Sequence, residues 1–544
     1  MKLNDEEKAI LAGDMGSIPQ WALQHQIAVG DFFGAEDFVP VTQAHIMADT
    51  ESLGQAGVMW LEKLAATQGG QRHVRIPTIT DPRGTDFAKA EMLKQTGWML
   101  DLEQRAIDAF VKLGVSMTDT CINYQTIQAP TRNESVAFGD TGVVIYSNSV
   151  CGARTNFEGG PSALSAGLTG RTPRYGFHLE AQRRATLRIR VDYTPRSLND
   201  WGALGGVIGR LAGNYWSVPV VEGLDAVPGS DALKHFGAAM ASFGSIALFH
   251  LVGITPEANR IEDVGGDKLP VSHRVGEGEI KSFQSAYAAT DDIDVVVFSA
   301  PQLSLYELRD LAKLCDRAQV GSPAAGHHQS AGQARRRPHG LHRANRNCGR
   351  SGAVGHVFLP VLCARNRRGQ WLETPRDQQR QAGQYSGGLW LRSHARLHGA
   401  VRRSRGNRET VMKEITARHA IGQTVRGIAM VASDGFSARY DLNRVDGVFS
   451  RPAHKLVGQS YVGKILVLDT AKGGVASAWM LHEMASRQKI PLAIVFNTVN
   501  PILVQGAAFS GMTMLAGFDE DITAWVADGA MVEIDPARKL LRVL

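Results

Sequence analysis

The chain has 544 residues, of which 44% are hydrophobic and 21% charged, and a formal net charge of +6. This length exceeds the roughly 250–300 residues at which one hydrophobic core stops growing, so several domains are expected, and the composition excludes a chain that is disordered throughout. The N-terminal sequence MKLNDEEKAILAG is acidic where a secretory signal is basic, and the five cysteines are irregularly spaced. We therefore expect a cytoplasmic protein whose cysteines are free thiols or metal ligands.

Residues 1–316 alternate apolar β-like runs with amphipathic helical segments, which predicts an α/β domain. The most apolar stretch, residues 235–254, contains glycines and two histidines and indicates a helix followed by a strand, so we expect no membrane segment. The runs AFVKLGVSM and GVVIY predict strands that end shortly before Cys121 and Cys151. Ligands gather beyond the carboxyl ends of strands in open α/β sheets, which makes both cysteines candidate site residues.

The positive charge is concentrated in residues 317–408. This segment holds 18 arginines, no lysine and two acids, a net charge of +16, so the rest of the chain carries −10. Neither helical nor strand periodicity runs through it. A basic insertion that binds RNA or phosphate is one explanation, but the four aromatic residues of the segment are scattered rather than interleaved with its basic ones. We expect no nucleic-acid partner.

A second explanation is that residues 317–408 are read out of frame. A GC-rich gene read in a shifted frame yields a composition like that of this segment, which is rich in Arg, His, Gln, Gly and Ser and has no Lys. Codons allowed for GHHQSAGQARRRPHGLHRANRNCGRSGAV, read one nucleotide later, encode a β-like start, a proline turn and a helix of mixed charge. Codons allowed for GHVFLPVLCARNRRGQWLE then encode a cysteine loop and an amphipathic helix. The recovered cysteine codon straddles Val357 and Phe358. We interpret the segment as an apparent frameshift.

The sequence regains ordinary patterning from about residue 412. Short β runs separated by glycine turns surround one helical segment, SAWMLHEMASRQ. This pattern predicts a compact β-rich domain over residues 412–544.

Cys121 lies in MTDTCINYQ, and Cys151 lies in SNSVCGARTNFEGGPSALSAGLTGRTPRYGFH. The second run is rich in Gly, Ser, Thr and Arg, as is typical of backbone shaped around a small anion. Its segments ARTNFEGGP and TGRTPRYG resemble the aconitase X family. The resemblance implies an α/β fold with an aconitase-like multi-layer catalytic domain, residues 1–316, and a smaller β-rich swivel domain, residues 412–544. Residues 317–408 then stand where relatives have the remainder of the catalytic domain.

Members of this family are hydro-lyases that hold an iron–sulfur cluster, and three cysteine ligands leave one iron open as a Lewis acid. The resemblance implies that Cys121 and Cys151 are two of these ligands; whether the cluster has two or four irons stays open. A buried apolar thiol is the alternative for each cysteine. The third ligand corresponds to the cysteine recovered in the shifted frame, so we expect the recorded chain to be impaired.

Other candidate residues follow from the same resemblance. Arg154, Thr155 and Arg171 in the motif run, and His45 in QAHIMADTESLGQAG, are expected to contact substrate, the arginines through a carboxylate. The alternatives are structural ion pairs for the arginines and a structural histidine for His45. The loop PTITDPRGTDF resembles another family loop, although its polar residues also suit turns.

The sequence DTAKGGVASAW places Lys472 and Ser477 in a loop before a helix, where main-chain amides attract an anion. Both are candidate catalytic residues. Archaeal relatives have a serine-rich version of this loop, with a serine thought to abstract the substrate proton, and Gly474 and Val475 stand where those serines would fall.

The resemblance implies that the substrate is a small-molecule carboxylate. Bacterial one-chain members dehydrate cis-3-hydroxy-L-proline to 1-pyrroline-2-carboxylate, and an archaeal two-subunit branch dehydrates 5-phosphomevalonate. The fused chain and Cys151 favour the proline substrate. An inactive frameshifted enzyme or a basic binding protein is the alternative, and the sequence does not predict an oligomeric state.

Overall fold

The computed structural model describes residues 1–287, 297–298, 300–317, 413–472 and 474–544. The apparent frameshift lies outside these residues, apart from its first position. The chain forms two compact units. The described part of the first comprises residues 1–317 with the gaps just given, together with 472–486 and 500–510. The second comprises residues 413–471, 487–499 and 511–544.

Helices dominate the first unit. They are α1 (Asp5–Ala12), α2 (Ser17–Phe33), α3 (Thr50–Ala66), α4 (Gly97–Lys112), α5 (Thr141–Tyr146), α6 (Gly160–Thr169), α7 (Leu198–Ala212), α8 (Ser230–Gly244), α9 (Glu277–Ser285), α10 (Leu305–Arg317), α11 (Ser477–Ser486) and α12 (Pro501–Ser510). Side-chain caps fix several starts. Asn4 and Glu7 form a capping box on α1, and Asp49 accepts a hydrogen bond from the Ser52 amide on α3.

The strands of the first unit are short and mostly parallel. They are β1 (Phe38–Pro40), β2 (Ala44–Ile46), β3 (Thr78–Thr80), β4 (Ala137–Phe138), β5 (Arg171–Pro173), β6 (Leu187–Val191), β7 (Pro219–Glu222), β8 (His250–Leu251) and β9 (Val271–Val275). Parallel sheets form in the orders β3–β2–β4 and β8–β7–β6–β9, and β1 pairs antiparallel with β5. Parallel strands of this kind are covered by helices, as α/β patterning predicts.

Two helices from the C-terminal part of the sequence belong to the first unit. Helix α11 packs on α3 and α6, and α12 packs on α2 and α6. Two glycines of the EGGP motif allow this approach. A Cβ at Gly160 would lie 1.8 Å from Trp479 Nε1, and one at Gly159 would lie 2.7 Å from the Ala478 Cβ. The Trp479 indole donates a hydrogen bond to the Met47 carbonyl at 2.9 Å.

The second unit is built on an eight-stranded mixed sheet. Its strands are β10 (Lys413–Thr416), β11 (His419–Ile421), β12 (Val425–Ala432), β15 (Ile465–Thr470), β16 (Ala493–Thr498), β17 (Thr513–Ala516), β18 (Met531–Asp535) and β19 (Leu540–Val543), and a separate hairpin holds β13 (Leu442–Asn443) and β14 (Val448–Phe449). The order is β10–β19–β18–β12–β15–β16–β17–β11, with β12, β15, β16 and β17 parallel. Short helix α13 (Ile522–Trp525) packs on it. This mostly-sheet architecture confirms the β-rich expectation.

Residues 235–254 form the C-terminal part of α8 and then β8, as predicted. Among the described residues, no helix combines the length and apolarity needed to cross a membrane.

Three local predictions were wrong. The run AFVKLGVSM, predicted as a strand, begins with the last four residues of helix α4. The run GVVIY lies in helix α5, not in a strand, and NPILVQGAAFSG, predicted as β, contains the whole of α12. Asp140 stands immediately before α5 as its N-cap residue, without a side-chain hydrogen bond to the first turn. The β-branched side chains of α5 then pack against α8, so burial against a neighbouring helix overrides their preference for strands.

Candidate functional site

Cys121 lies in a loop that the surrounding main chain fixes closely. Asp119, two residues before it, has a left-handed backbone (φ 54°), and the Thr120 amide donates to the Thr80 carbonyl at 3.3 Å. His45 Nε2 lies 2.8 Å from the Thr120 carbonyl. The Cys121 thiol is thus anchored to the end of β3 and to the strand that carries His45.

Gln302, which stands 181 residues after Cys121 in the sequence, contacts the same loop. Its side-chain Oε1 accepts hydrogen bonds from the Cys121 amide at 3.1 Å and from Thr120 Oγ1 at 3.0 Å. The Cys121 Sγ lies 3.9 Å from that oxygen. Gln302 therefore positions the thiol, a role that the sequence analysis missed.

Cys151 ends a π-helical turn, Ser147–Cys151, that continues α5. Single π turns recur at functional sites. The Asn148 side chain fixes the turn: its Nδ2 donates to the Thr155 and Ala247 carbonyls, both at 2.9 Å. Gly152 follows with φ 68°, and a Cβ there would lie 3.0 Å from Pro256. A left-handed glycine lets the chain turn sharply after the thiol.

The two thiols face the same apolar environment. Both are partly buried and pack against one hydrophobic cluster that also includes Tyr124 and Tyr146. Burial, with Glu134 nearby, raises the pKa of Cys151 to about 11. Burial, with Asp140 and Asp81 adding, raises the pKa of Cys121. Such thiols stay protonated at neutral pH unless a bound cation stabilises the thiolate.

The donor chemistry of the two thiols fits an iron–sulfur cluster. In the described ranges, no group of three or more His, Cys, Asp or Glu side chains is arranged to hold a metal ion. Cys121 and Cys151 are thus the two candidate ligands in the described structure, and Cys348 and Cys363 lie outside it. The recovered third cysteine is absent from this sequence.

Buried carboxyl groups gather beside Cys121. Burial raises the pKa of Asp81, with Asp49 and Asp140 adding, and it raises that of Asp140 to about 6 and that of Glu103 to about 7. Thr50 Oγ1 donates to Glu103 at 2.7 Å, and the Ala48 amide donates to Asp81 at 2.6 Å. We call Asp49, Asp81, Glu103 and Asp140 the acid cluster. It attracts cations and holds protons near neutral pH.

The loop of residues 80–86, in PTITDPRGTDF, presents polar atoms to this region. Arg83 forms an ion pair with Asp119, while its Nε is buried without a hydrogen-bond partner within the described structure. Thr80 Oγ1 and Thr85 Oγ1 are also buried and unpartnered there. Buried polar groups are ordinarily hydrogen-bonded, so these atoms mark a place for a polar ligand.

Ser477 begins α11 and is buried, with 1% of the residue exposed. Its Oγ has no hydrogen-bond partner among the described residues. Neighbouring Trp479 is bonded to Met47, two residues before Asp49 of the acid cluster. The structure therefore brings the Ser477 helix to the segment that carries Asp49. Lys472, in contrast, is exposed, and Gly473 lies outside the described residues.

The other sequence-predicted contacts are engaged by protein atoms. Burial lowers the pKa of His45, and its two ring nitrogens lie 2.8 Å from main-chain carbonyls. Thr155 is fully buried, and its Oγ1 donates to the Asn156 carbonyl at 2.8 Å. Arg171 forms ion pairs with Glu6 and Glu7 of α1 at 2.6 and 2.7 Å. Their expected contacts with substrate stay predictions.

Arg154 lies elsewhere, at the wall of a cavity. Its Nη2 is 2.5 Å from Glu180, and the cavity, of about 550 Å³, has four arginines in its lining. The structure thus groups Cys121, the acid cluster and the 80–86 loop, and it places Arg154 and Arg171 in separate ion pairs. The acid cluster gave no sequence signal because its members stand far apart in the chain.

Comparison with known proteins identifies the family of the chain. Family models described as the aconitase X first domain, second domain and swivel domain match residues 1–181, 185–285 and 414–543. A crystal structure of Thermococcus kodakaraensis aconitase X in its holo-form matches with a TM-score of 0.52 and 30% identity, over 58% of this chain and 78% of that one.

Curated relatives are named as dehydratases. The phosphomevalonate dehydratase large subunit of Methanothermobacter thermautotrophicus is 35% identical over 59% of this chain and 82% of that subunit. The cis-3-hydroxy-L-proline dehydratase of Hypocrea jecorina is 31% identical over 58% of this chain and 53% of that enzyme. With its α/β fold, its paired cysteine loops and these matches, the chain belongs to the aconitase X family of hydro-lyases.

Proposed function

We propose that this chain is of the type that dehydrates cis-3-hydroxy-L-proline, giving an enamine that becomes 1-pyrroline-2-carboxylate. One relative carries this activity in its name, and another acts on phosphomevalonate as the large subunit of an enzyme. Here the regions that match the first, second and swivel domains lie on one polypeptide. That fusion supports the proline substrate.

The charge of the candidate site is our reason for preferring hydroxyproline to phosphomevalonate as substrate. Hydroxyproline bears a secondary ammonium group next to its carboxylate, whereas phosphomevalonate bears a phosphate. The acid cluster places buried carboxyl groups beside Cys121. Opposite charges attract and like charges repel strongly at buried positions. A bound ammonium group would lower these raised pKa values and favour the charged carboxylates, whereas a phosphate would raise them further, so the cluster favours the ammonium group.

Cys121 and Cys151 would hold the cluster, which supplies a Lewis-acidic iron to the departing hydroxyl when bound. The protein contributes position and proton transfer. Gln302 and His45 fix the Cys121 loop, and the acid cluster orients the ammonium group. We assign the substrate carboxylate to Arg83, because its Nε is free to donate within the described structure, whereas Arg171 is already paired with glutamates.

Proton removal from Cα requires a base near neutral pH. Ser477 is our candidate because its hydroxyl is buried without a partner among the described residues. Ser477 accepts the α-proton only after its own hydroxyl proton has left, and we assign that hydroxyl proton to the acid cluster, in which Glu103 has a pKa of about 7. Lys472 is exposed, so we give it a supporting role in anion attraction to the loop before α11.

The test is a substrate comparison. The chain would be prepared with residues 317–408 translated in the shifted frame, and product would be measured with cis-3-hydroxy-L-proline and with 5-phosphomevalonate. We expect turnover of the first. Turnover of the second alone would replace the proposal with the phosphomevalonate activity.

A second candidate is an inactive product of the frameshifted gene. The +16 charge of residues 317–408 and the missing third cysteine favour it for the recorded chain. Resequencing the DNA for residues 310–412 distinguishes the two cases. A single-base error at each end restores the enzyme, and an unchanged frame supports an inactive or basic binding protein.

A further inference from the structure

A cavity of about 550 Å³ lies beside the Cys151 turn and is not used by the proposed reaction. Its lining includes Arg132, Arg154, Arg183, Arg184, Glu180 and Glu257. The residue after Cys151 forms part of its surroundings, because the Gly152 backbone approaches Arg132 and Pro256. The cavity therefore adjoins one of the two cysteine loops.

Two of its four arginines are neutralised within the protein. Arg154 pairs with Glu180 at 2.5 Å, and Arg183, whose side chain is only 2% exposed, pairs with Glu257 at 2.8 Å. Arg183 also donates to the Asn148 carbonyl at 2.9 Å. These pairs make a rigid wall. They also tie the wall to the π turn that carries Cys151.

The other two arginines of the lining lack a direct ion pair of this kind. Within the part of the chain that the structure describes, Arg132 and Arg184 form neither an ion pair nor a side-chain hydrogen bond. The remaining acid, Asp263, accepts a hydrogen bond from the Arg260 amide at 2.8 Å and lies 3.6 Å from the Arg260 guanidinium. Four arginines against the three acids Glu180, Glu257 and Asp263 leave the lining with an excess of positive charge, and the side chains of Arg132 and Arg184 are exposed.

The surrounding groups respond to this positive charge. Arg154, with Arg183 and Arg184 adding, holds the pKa of Glu180 below its usual range. Burial, with Arg183 and Arg154 adding, lowers the pKa of His178 to about 3. Both ring nitrogens of His178 are buried and have no hydrogen-bond partner in the described structure. A cavity whose lining carries an excess of positive charge suits an anion.

We propose that this arginine cavity is a binding site for a small molecule with an oxyanion group, phosphate or carboxylate, and that it is separate from the substrate site beside Cys121. Guanidinium groups bind both kinds of oxyanion through paired hydrogen bonds. The volume holds a ligand larger than a single ion. Because the wall continues into the Cys151 turn, an occupant stabilises that turn.

The test measures anion binding by titration calorimetry on the full chain, with inorganic phosphate in one arm and citrate in the other. The double variant Arg132→Ala/Arg184→Ala removes the two free charges. The matched control, Arg72→Ala/Arg196→Ala, removes two exposed arginines elsewhere, so it corrects for anions attracted by the basic segment. We expect the cavity variant to weaken binding at least tenfold and the control to leave it unchanged.

A charge-conserving variant, Arg132→Lys/Arg184→Lys, is expected to bind with intermediate affinity, because lysine keeps the charge but loses the paired geometry. The arm that shows saturable binding identifies the oxyanion. Equal affinities in the cavity and control variants would overturn the proposal. Displacement of the bound anion by cis-3-hydroxy-L-proline would also overturn it, because the cavity would then be the substrate's own site. The binding readout requires no turnover, so its failure is distinguishable from failure of the proposed reaction.

Discussion

Gln302 binds the main chain of Cys121 across 181 residues of sequence, its Oε1 accepting a hydrogen bond from the Cys121 amide at 3.1 Å. The carbonyl of Gln302 in turn accepts a hydrogen bond from Lys234 Nζ at 2.9 Å. Lys234 is fully buried on α8 and pairs with Glu307 on α10. The position of the Cys121 thiol therefore depends on a buried ion pair.

Replacing this lysine, Lys234→Met, should lower the free energy of unfolding by about 3 kcal/mol, because it leaves the buried Glu307 carboxylate without its lysine and with only His235 and the Ser304 amide beside it. Thermal or urea unfolding measures the change. Lys281, whose ion pair with Glu277 is exposed, supplies the control: Lys281→Ala should cost less than about 0.5 kcal/mol. A double variant with Glu307→Gln should recover much of the loss. Equal effects at 234 and 281 would contradict this account.

We expect the glycines of the EGGP motif to be needed for the packing of α11. Gly160→Ala should destabilise the chain by about 1–3 kcal/mol, since the new methyl group would overlap the Trp479 indole and push α11 from its place. Gly202→Ala is the matched control, because it lies within α7 with open space around the new Cβ. That substitution should stabilise the helix by about 0.5–1 kcal/mol. Unfolding midpoints that move in the same direction would refute the packing role.

We expect the stability of the fold to depend on pH through Glu158. It is fully buried, accepts a hydrogen bond from Thr172 Oγ1 at 2.9 Å, and burial raises its pKa to about 8. The folded state thus holds a proton that the unfolded state loses above its ordinary pKa of 4.5. Stability from this group is present below about pH 4.5 and is lost as the pH rises to 8, by about 3–5 kcal/mol.

Glu158→Gln imitates the protonated form and should therefore flatten the fall in stability between pH 5 and 8. Unfolding free energies at several pH values measure the slope. Exposed Glu91→Gln serves as the control, and it should leave the slope unchanged. A slope that stays the same in Glu158→Gln would show that other groups cause the pH dependence.

We expect the Ser477 hydroxyl to be needed for turnover. Ser477→Ala should lower turnover at least a hundredfold, if its hydroxyl takes part in proton transfer, with little loss of stability because the Oγ has no partner among the described residues. Ser486→Ala, on the same helix, removes a hydroxyl that donates to the Glu483 carbonyl at 2.9 Å. The control should turn over normally. Similar rates in both variants would exclude Ser477 as the base.

Much of the fold follows from periodicity. The helix and strand of residues 235–254, the helix at SAWMLHEMASRQ and the β-rich C-terminal part were predicted correctly, since each pattern is long or bounded by glycines. Helix α5 was missed because Val143, Val144 and Ile145 prefer strands when considered alone. Its packing depends on α8, which lies far away in sequence.

The sequence singles out candidate site residues that stand in one motif, but not the contacts between distant segments that position them. Cys121 and Cys151 stand in distinctive runs, and the structure packs both against one apolar cluster. Gln302 is distant in sequence from the loop that it holds. The signal near it was the pair Ser304 and Glu307, which cap α10 and fix the segment that carries Gln302.

The central claim is that residues 317–408 interrupt a cluster-bearing hydro-lyase. The most direct test compares the recorded chain with the chain translated in the shifted frame, measuring bound iron and formation of 1-pyrroline-2-carboxylate from cis-3-hydroxy-L-proline side by side. The account predicts that the shifted-frame chain binds iron and turns over while the recorded chain does neither efficiently. Equal iron content and equal turnover in the two chains would contradict it.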